Sequence, residues 1–464
     1  MSPRPAGYGE SAPRLDDDRL PVVLVVLDGL GDRPLAELGG RTPAEAAYTP
    51  HLDALAGRGS SGWHLPFGWG RAASSELSHW SMLGYERQPF PGRAVLEALG
   101  AGLDVTCGVP ATHAALRTSE RGGVAVRITG RAAPGDAEDC AALLGDLGAR
   151  ARREGWQLVP YPSAPGEALL LLDGLSSGDI TDSDPFFEEL HPWLRPRALR
   201  PAADPGAAAA AERSATALTA FLQDCHALLV RHPVNIARTE RGVPALDVLT
   251  TKWTGVRQAL PSFAELVGVP GAAVTSSRLY RGLAAALGLS TREPGPRADF
   301  EADLRTRLQA ADDLLSAGAA FVHVHTKAPD EAGHSKEPYA KRDVLEAVDR
   351  GLAALGDLAD RAVVAVTGDH ATPSRDGLLH SGDPTLLVVA GPTVRPDEVE
   401  CFGEEPARRG AYGILAARDL LPLLLGSANR PAFLGHRPTP WPALALPDAV
   451  EAMPVGPVHP EEEP

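Results

Sequence analysis

Four short apolar runs constrain the fold of this chain more than any other feature of its sequence. The first is VVLVVL at Val22–Leu27, and the others lie at 319–324, 362–367 and 385–390. Runs of this length, rich in β-branched residues, are typical of strands buried on both faces of a parallel sheet. Helical patterns separate them, most clearly at 341–358. Strands that alternate with helices predict an α/β fold in which helices flank a mostly parallel sheet.

The middle of the chain has a different pattern. A single strand at 168–172 and a long Ala- and Leu-rich helix at 208–230 replace the regular alternation, and Pro and Gly interrupt the remainder. A chain of 464 residues is also too long for one ordinary domain. We therefore predict that residues 112–261 form a smaller α+β cap domain inserted into the first domain.

The remaining boundaries follow from that insertion. The core is predicted to consist of residues 21–111 and 262–440. Within it, the segment 42–57 is predicted to be one capped helix that ends at Gly57. The polar, Pro-rich ends, residues 1–20 and 441–464, are predicted to be disordered tails.

Composition excludes several classes of function. The net charge is −16, with 60 acidic against 44 basic residues, which argues against a nucleic-acid partner. No apolar run approaches the roughly 20 residues that a membrane span needs, and the N-terminus lacks the apolar core of a signal peptide. The four cysteines are far apart and are expected to be buried, reduced thiols. We expect a cytoplasmic protein with a small-molecule partner, without nucleic-acid or membrane binding.

Aspartate and histidine residues cluster immediately after the predicted strands. Open α/β sheets bind ligands beyond the carboxyl ends of their strands, so these side chains are expected to converge. Three Asp and three His form a mixed oxygen and imidazole donor set that suits Mn²⁺, Zn²⁺ or Mg²⁺. A single Asp–His pair is more often a loop cap than a ligand, so the prediction of a metal centre depends on the whole set. Its members are Asp28, Asp330, His334, Asp369, His370 and His380.

A serine supplies the nucleophile that such a centre would need. Ser75 lies in the segment ASSELSH that ends at His79, which alone would be interpreted as a surface turn. A serine hydroxyl is a weak nucleophile, and metal coordination is one way to activate it. Two cations would also hold a transferring phosphoryl group in line with the attacking and leaving oxygens. The combination predicts metal-dependent phosphoryl transfer through Ser75.

Longer motifs identify a family. The segments LDGLGDRP, SELSHWSMLGY, PGRAVLEALGAGL, ITDSDP, KAPDEAGH, TGDHATP and HSGDP occur in this order between about residues 22 and 425. In that order they resemble the archaeal-type cofactor-independent phosphoglycerate mutases, which belong to the alkaline phosphatase superfamily. The resemblance implies an alkaline-phosphatase-like core and the glycolytic interconversion of 3- and 2-phosphoglycerate. It also implies a phosphoserine intermediate and two divalent ions, with no 2,3-bisphosphoglycerate.

Carried over by position, the resemblance assigns roles to individual residues. One ion would be held by Asp28, Ser75, Asp369 and His370, and the other by Asp330, His334 and His380. Mn²⁺ is the expected ion, with Zn²⁺ and Mg²⁺ as alternatives, and no organic cofactor is expected. Arg281 is placed near the phosphoryl group as a second catalytic residue. Contacts with the substrate, a small phosphorylated metabolite, are implied for His79, His113, Arg127, Arg131, Asp182, Asp184 and Arg238.

The departures from the family pattern fall in the predicted cap. Where the family has Arg and Asn, this chain has His113 and Ala115, and Glu167 and Leu246 also replace polar family residues. Loss of guanidinium contacts would weaken the grip on an anionic intermediate. Two functions therefore stay open. The first is a mutase of phosphoglycerate or a related phosphorylated acid. The alternative is a phosphohydrolase of a different phosphorylated or phosphonate metabolite that uses the same serine and metals.

Overall fold

The structure, a computed structural model, describes residues 19–123, 125–162, 164–185, 191–199, 204–295, 299–433 and 443–444. These residues pack into two compact units. Of the described residues, the first unit contains those up to Tyr85, Pro261–Ser276 and those from Gly288 onwards, and the second contains those within Glu86–Leu260 and Ser277–Leu287. The domain boundaries predicted at 112 and 261 stay a prediction. The predicted tails lie almost entirely outside the described residues.

The strands, in chain order, are β1 (Val22–Leu27), β2 (Ser60–Leu65), β3 (Pro110–Gly122), β4 (Ala125–Arg131), β5 (Gln157–Pro160), β6 (Glu167–Leu171), β7 (His191–Pro192), β8 (Val248–Val256), β9 (Gly271–Val274), β10 (Ser290–Arg292), β11 (Phe321–Thr326), β12 (Val363–Thr367), β13 (Thr385–Ala390), β14 (Gly413–Ala416), β15 (Ala432–Phe433) and β16 (Ala443–Leu444).

The helices are α1 (Pro43–Ala46), α2 (Pro50–Ala56), α3 (Ser75–Met82), α4 (Arg93–Gly100), α5 (Ala137–Arg153), α6 (Pro205–Leu229), α7 (Pro233–Glu240), α8 (Phe263–Val267), α9 (Arg278–Ala286), α10 (Phe300–Ser316), α11 (Ala328–His334), α12 (Pro338–Gly351), α13 (Leu355–Ala359), α14 (Glu404–Ala407) and α15 (Ala417–Ser427), with short 3₁₀ turns at Ala36–Leu38 and Pro134–Asp136.

The first unit is built around an eight-stranded sheet with the order β10-β9-β11-β1-β12-β13-β2-β14. All neighbouring pairs are parallel except those of β13, which runs antiparallel to both β12 and β2. Strands β1, β11, β12 and β13 are buried along their whole length. The predicted α/β class with a mostly parallel sheet is therefore confirmed, and the four apolar runs of the sequence are its central strands.

One local prediction was wrong. The segment 42–57 forms two helices, α1 and α2, because Pro50, the first residue of α2, interrupts the helical hydrogen bonding. A proline removes an amide donor and disfavours helical geometry in the residue before it, so the chain leaves the helix at Ala47 and re-enters at Pro50. Gly57 follows α2 with φ −64°, an ordinary right-handed conformation and not the left-handed cap that glycine favours.

The second unit contains a six-stranded antiparallel sheet. Its path is β5-β6-β3-β4-β7, and β8 pairs with β3 outside that path. Helices α5 and α6 supply buried residues to the hydrophobic cluster that also includes β3 and β6. Helix α9 belongs to this unit because it packs tightly against α4. A Cβ atom added at Gly282 of α9 would lie 1.7 Å from the Leu96 carbonyl oxygen, so only glycine permits this approach.

Among the described helices, none combines the length and hydrophobicity that a bilayer span requires. All four cysteines are free thiols, but only Cys140 and Cys225 are buried, while Cys107 and Cys401 are exposed. The expectation of four buried thiols was therefore half wrong.

Candidate metal centre

The Asp and His residues singled out in the sequence all follow buried strands of the first unit. Asp28 comes directly after β1, while Asp330 and His334 lie on α11, which follows β11. Asp369 and His370 lie in the loop after β12. Because β1, β11 and β12 are neighbours and parallel, their carboxyl ends meet at one edge of the sheet.

The first group of donors is Asp330, His334 and His380. Asp330 and His334 lie one helical turn apart on α11, which places their side chains on the same face. The Nε2 atom of His334 lies 3.2 Å from Asp330 Oδ1, and Nε2 of His380 lies 3.6 Å from the same oxygen. The other ring nitrogen of His380 donates to the Ala73 carbonyl over 2.8 Å, which fixes the orientation of the imidazole.

The second group is centred on His370. Its Nε2 atom lies 3.3 Å from Asp28 Oδ1 and 3.5 Å from Asp369 Oδ2. Asp330 also offers an oxygen to this group, since its donor atom lies within 4.8 Å of those of Asp28 and His370. The resemblance assigned Asp330 to one ion alone, whereas the structure places it between the two groups.

The donor geometry fits divalent cations. Metal–ligand bonds of about 2.0–2.2 Å in a tetrahedral site would separate neighbouring donor atoms by roughly 3.3–3.6 Å. The distances around Asp330 Oδ1 and His370 Nε2 lie within a few tenths of an ångström of that range. A buried oxygen of Asp369 also indicates a cation site.

The Oδ1 atom of Asp369 accepts from the Gly29 amide at 3.0 Å, while Oδ2 is buried with no hydrogen-bond partner among the described residues. A buried carboxylate oxygen without a partner lowers the stability of the folded state unless a cation binds it.

Ser75 lies beside the second group. It is the first residue of α3 and only 7% exposed, and its Oγ lies 3.0 Å from His370 Nε2. The serine predicted as nucleophile therefore contacts a predicted metal ligand. His334 and His380 remain partly exposed, with 32% and 17% of their side chains accessible, so the centre is open towards the first group.

The three carboxylates of the centre differ in the direction of their pKa shifts. Burial opposes ionisation of Asp28, but hydrogen bonds from His325 and His370 outweigh it and hold the pKa of Asp28 well below its usual value. Burial likewise opposes ionisation of Asp330, yet hydrogen bonds from His334 and His380 lower its pKa. For Asp369 burial dominates and, together with the charge of Asp28, raises its pKa. Asp28 and Asp330 are thus ionised and ready for a cation.

His370 carries the complementary shift. Burial alone would lower its pKa, but the carboxylates of Asp369 and Asp28 raise the pKa of His370 to about 9. In the absence of a cation a proton therefore occupies the position between these carboxylates. A divalent ion that displaced this proton would meet the same negative surroundings, so metal binding and proton release are coupled here.

Three residues that sequence reasoning missed support these ligands. Lys327 donates to Asp28 Oδ2 at 3.4 Å and to Asp330 Oδ2 at 2.8 Å. His325 donates from Nε2 to Asp28 Oδ2 at 3.1 Å, and its Nδ1 accepts from the Ser276 hydroxyl at 2.6 Å. Burial lowers the pKa of His325 to about 3, so its imidazole is neutral in this pair of contacts. The third residue, Lys341, is buried and donates to the carbonyls of Gly29, Gly31 and Thr372 in the ligand-bearing loops.

His79 was predicted to contact substrate. The structure buries its side chain completely, with Nδ1 2.8 Å from the Ser75 carbonyl oxygen and 3.6 Å from Asp369 Oδ2. A buried imidazole in this position supports the serine helix and the Asp369 ligand. Direct contact with substrate stays a prediction that this placement does not favour.

The other predicted substrate residues lie in the second unit, and two of them are fully engaged there. Arg238 has only 3% of its side chain exposed and pairs with Asp136 and Asp139 at 2.7 and 2.8 Å. Asp184 is 2% exposed and accepts from Arg117 at 3.0 Å. Both therefore act as structural ion-pair partners in the second unit, and their positions do not favour the predicted contact with substrate.

The remaining predicted residues of the second unit differ in exposure. Arg127 and Arg131 are exposed on β4, whereas Asp182 is half-buried and accepts from the Trp253 amide at 2.8 Å. Burial raises the pKa of Asp182 to about 6. Arg281 lies on α9, where its Nε donates to the Gly100 carbonyl. Its predicted catalytic role stays a prediction.

The residues that depart from the family pattern form contacts of their own. His113 is 2% exposed and lies 3.6 Å from Glu97, and burial holds the pKa of His113 well below its usual value. Glu167 and Glu97 both bind the Arg278 guanidinium, at 3.2 and 3.0 Å. In this part of the second unit His113 is therefore a neutral imidazole, and two carboxylates neutralise Arg278.

Comparison with known proteins places this geometry in a family. Residues 20–426 match the family described as the metalloenzyme superfamily. The 2,3-bisphosphoglycerate-independent phosphoglycerate mutase of Thermococcus kodakarensis is 34% identical over 419 residues, covering 88% of this chain and 97% of the relative. The enzyme of the same name from Thermoplasma acidophilum is 35% identical over 414 residues, with 88% and 98% covered.

Two solved structures agree with the sequence relatives. The PH0037 protein from Pyrococcus horikoshii superposes with a TM-score of 0.71 at 28% identity, covering 89% of this chain and 98% of that chain. The cofactor-independent phosphoglycerate mutase from Thermoplasma acidophilum gives a TM-score of 0.59 at 30% identity, with 88% and 100% covered. The resemblance read from the sequence motifs is therefore confirmed. This chain belongs to the metalloenzyme superfamily and, within it, to the 2,3-bisphosphoglycerate-independent phosphoglycerate mutases.

Proposed function

We propose that this protein interconverts 3- and 2-phosphoglycerate through a phosphoserine formed on Ser75. The observation that carries the proposal is the 3.0 Å contact between Ser75 Oγ and His370 Nε2, within a donor set of Asp28, Asp369 and His370. A nucleophile that contacts a metal ligand is placed for activation by the bound cation. Membership of the mutase family supports the choice of reaction.

Two sets of side chains would each bind one cation. Asp28, Asp369, His370 and Ser75 would hold one ion, and Asp330, His334 and His380 the other. Bound cations would activate the serine and neutralise the phosphoryl oxygens. Ser75 would take the phosphoryl group from the 3-oxygen of the substrate, forming one O–P bond as the other breaks, and would then return it to the 2-oxygen. Mn²⁺ is the ion we propose, because a mixed carboxylate and imidazole set suits it.

A second candidate reaction, hydrolysis of a different phosphorylated metabolite, is favoured by one observation. A mutase must retain its dephosphorylated intermediate until the phosphoryl group returns. In the second unit Arg278 is already bound by Glu97 and Glu167, and the buried His113 replaces a family guanidinium. Loss of a charge-assisted contact with the intermediate would let it escape, and water would then take the phosphoryl group from Ser75.

Trapping the phosphoserine tests the proposal. The Mn²⁺-loaded protein is mixed with 3-phosphoglycerate, quenched in acid and digested, and the phosphorylated peptide is identified by mass spectrometry. We expect phosphate on Ser75, and no phosphopeptide from Ser75→Ala. The neighbouring Ser74→Ala is the matched control, because Ser74 precedes α3 without a side-chain capping bond. Phosphate on any other residue, or an active Ser75→Ala variant, would show that the nucleophile is wrongly assigned.

A further inference from the structure

Lys327 joins the two groups of donors. Its ammonium lies 3.4 Å from Asp28 Oδ2 and 2.8 Å from Asp330 Oδ2, and these carboxylates belong to different proposed metal sites. Each carboxylate turns its other oxygen elsewhere. Oδ1 of Asp28 faces His370 at 3.3 Å. Oδ1 of Asp330 faces His334 at 3.2 Å and accepts from the Thr372 hydroxyl at 2.7 Å. The lysine therefore binds the Oδ2 atom of each carboxylate, while the Oδ1 atoms face the histidine donors.

The ammonium has a donor left over. A lysine ammonium carries three N–H groups, and the two carboxylates use two of them. Among the residues that the structure describes, no third acceptor lies within hydrogen-bonding distance of Nζ, and 39% of the side chain is exposed. Lys341 is different, because its ammonium is fully buried and binds four acceptors. Lys327 therefore keeps a charged donor that can reach a ligand.

The position of this donor relative to the nucleophile suggests the ligand. Asp28 lies between the two, since its Oδ1 contacts His370, which contacts Ser75, and its Oδ2 contacts Lys327. A phosphoryl group in transfer has three non-bridging oxygens over which negative charge is spread. Two cations leave part of that charge available to a further positive group, and a charge-assisted hydrogen bond is the strong kind.

We propose that Lys327 is a catalytic residue that binds a non-bridging oxygen of the phosphoryl group while Asp28 and Asp330 fix its ammonium. This inference rests on the proposed phosphoryl transfer through Ser75 and adds a residue to it. It assigns to Lys327 a direct contact with the transferring group, in addition to its contacts with the ligand carboxylates.

Binding of inorganic phosphate to the Mn²⁺-loaded protein tests the inference without turnover. The dissociation constant is measured by paramagnetic broadening of the phosphate ³¹P resonance, and Mn²⁺ content by elemental analysis. Lys327→Met should keep two ions per chain and weaken phosphate binding about 10-fold or more, the effect of losing a charge-assisted hydrogen bond. Lys327→Arg, which keeps a cationic donor, should lose less. Arg342→Met, which removes an exposed cation that pairs with Asp343, should bind phosphate as wild type does.

The outcomes separate the alternatives. If Lys327→Met weakened phosphate binding threefold or less with its ions in place, the proposed contact would not exist. If it lost an ion, the lysine would act only by ordering carboxylates, and the inference would again be wrong. Steady-state kinetics with 3-phosphoglycerate give a separate answer on the reaction. If phosphate binding depended on Lys327 but the protein left 3-phosphoglycerate unchanged, the proposed substrate would be wrong. The inference about Lys327 would still stand.

Discussion

The Nζ atom of Lys341 lies 3.1 Å from Oδ2 of Asp32, and both side chains are fully buried. The same ammonium donates to the carbonyls of Gly29, Gly31 and Thr372 at 2.8–3.0 Å. Gly29 and Gly31 lie in the loop after β1, and Thr372 lies in the loop after β12. One buried lysine therefore joins the two loops that carry most of the second donor group.

Lys341→Met should destabilise the protein strongly, because it leaves Asp32 and three carbonyls buried without their donor. Breaking a buried ion pair on one side costs about 3–5 kcal/mol of unfolding free energy. Denaturation in urea measures this change. Arg342→Met, the neighbouring exposed position on α12, is the control and should stay within about 0.5 kcal/mol of wild type. A loss below about 1 kcal/mol for Lys341→Met would contradict the assigned role.

Substitution of single ligands should remove single ions. His380→Ala should lose about one metal ion per chain after dialysis and Asp369→Asn the other, because a site that lacks one donor binds much more weakly. Asp330→Asn, whose carboxylate belongs to both donor groups, should lose at least one. Elemental analysis reports the stoichiometry. Asp343→Asn, an exposed carboxylate 60% accessible on α12, should retain both ions. Two ions in all three ligand variants would show that the donor set is wrongly assigned.

His325 should raise the affinity of the Asp28 site for a metal ion without binding the ion itself, because it contacts the Asp28 carboxylate. Its Nε2–H donates to Asp28, and the Ser276 hydroxyl fixes that tautomer through Nδ1. Loss of such a partner typically lowers metal affinity about 10–100-fold. Calorimetric titration with Mn²⁺ should show this for His325→Ala and a smaller loss for Ser276→Ala. If His325→Ala bound both ions with wild-type affinity, the histidine would have no positioning role.

The part of the centre that could be predicted from the sequence is the part that lies at strand ends. The strands are short, apolar and β-branched, and each ligand follows one of them closely, so the sheet topology alone brings the ligands together. The spacing of Asp330 and His334 on one helix is a further local signal. By contrast, the pairing of His325 with Asp28 joins residues 297 positions apart, and no local pattern indicates it.

Other contacts that the sequence did not indicate have physical reasons of their own. Lys327 lies three residues before Asp330, so an i, i+3 pair could have been inferred, but its contact with Asp28 depends on the pairing of β1 and β11. Arg238 matched the family pattern, yet its partners Asp136 and Asp139 are about 100 residues away in the chain. A charged residue in a motif can therefore be a structural ion-pair partner, and only packing distinguishes the two roles.

The stability of the protein should depend on pH through Glu404, a buried carboxyl that accepts from the Asp32 amide at 3.3 Å. Burial, reinforced by the charge of Glu45, raises the pKa of Glu404 to about 7, although it accepts from Thr42 at 2.6 Å. The folded state therefore binds a proton more tightly than the unfolded chain. This contribution to stability is complete below the unfolded pKa, near 4.5, and is lost as the pH rises through about 7.

The measurement is urea denaturation between pH 5 and 7. The unfolding free energy of wild type should fall relative to that of Glu404→Gln, by at most about 1.4 kcal/mol per pH unit, because glutamine mimics the neutral acid. Glu405→Gln, an adjacent carboxylate 59% exposed, should run parallel to wild type. Parallel curves for wild type and Glu404→Gln would mean that Glu404 does not titrate in this range.

The central claim is phosphoryl transfer between the two hydroxyls of glycerate. The most direct test is ³¹P NMR of 3-phosphoglycerate incubated with the Mn²⁺-loaded enzyme, because both esters and free phosphate have separate resonances. We predict that the 2-phosphoglycerate signal grows at the expense of the 3-phosphoglycerate signal, with the sum of the two esters constant, and that Ser75→Ala abolishes the change. Growth of inorganic phosphate alone, or no change with the wild-type enzyme, would contradict the mutase assignment.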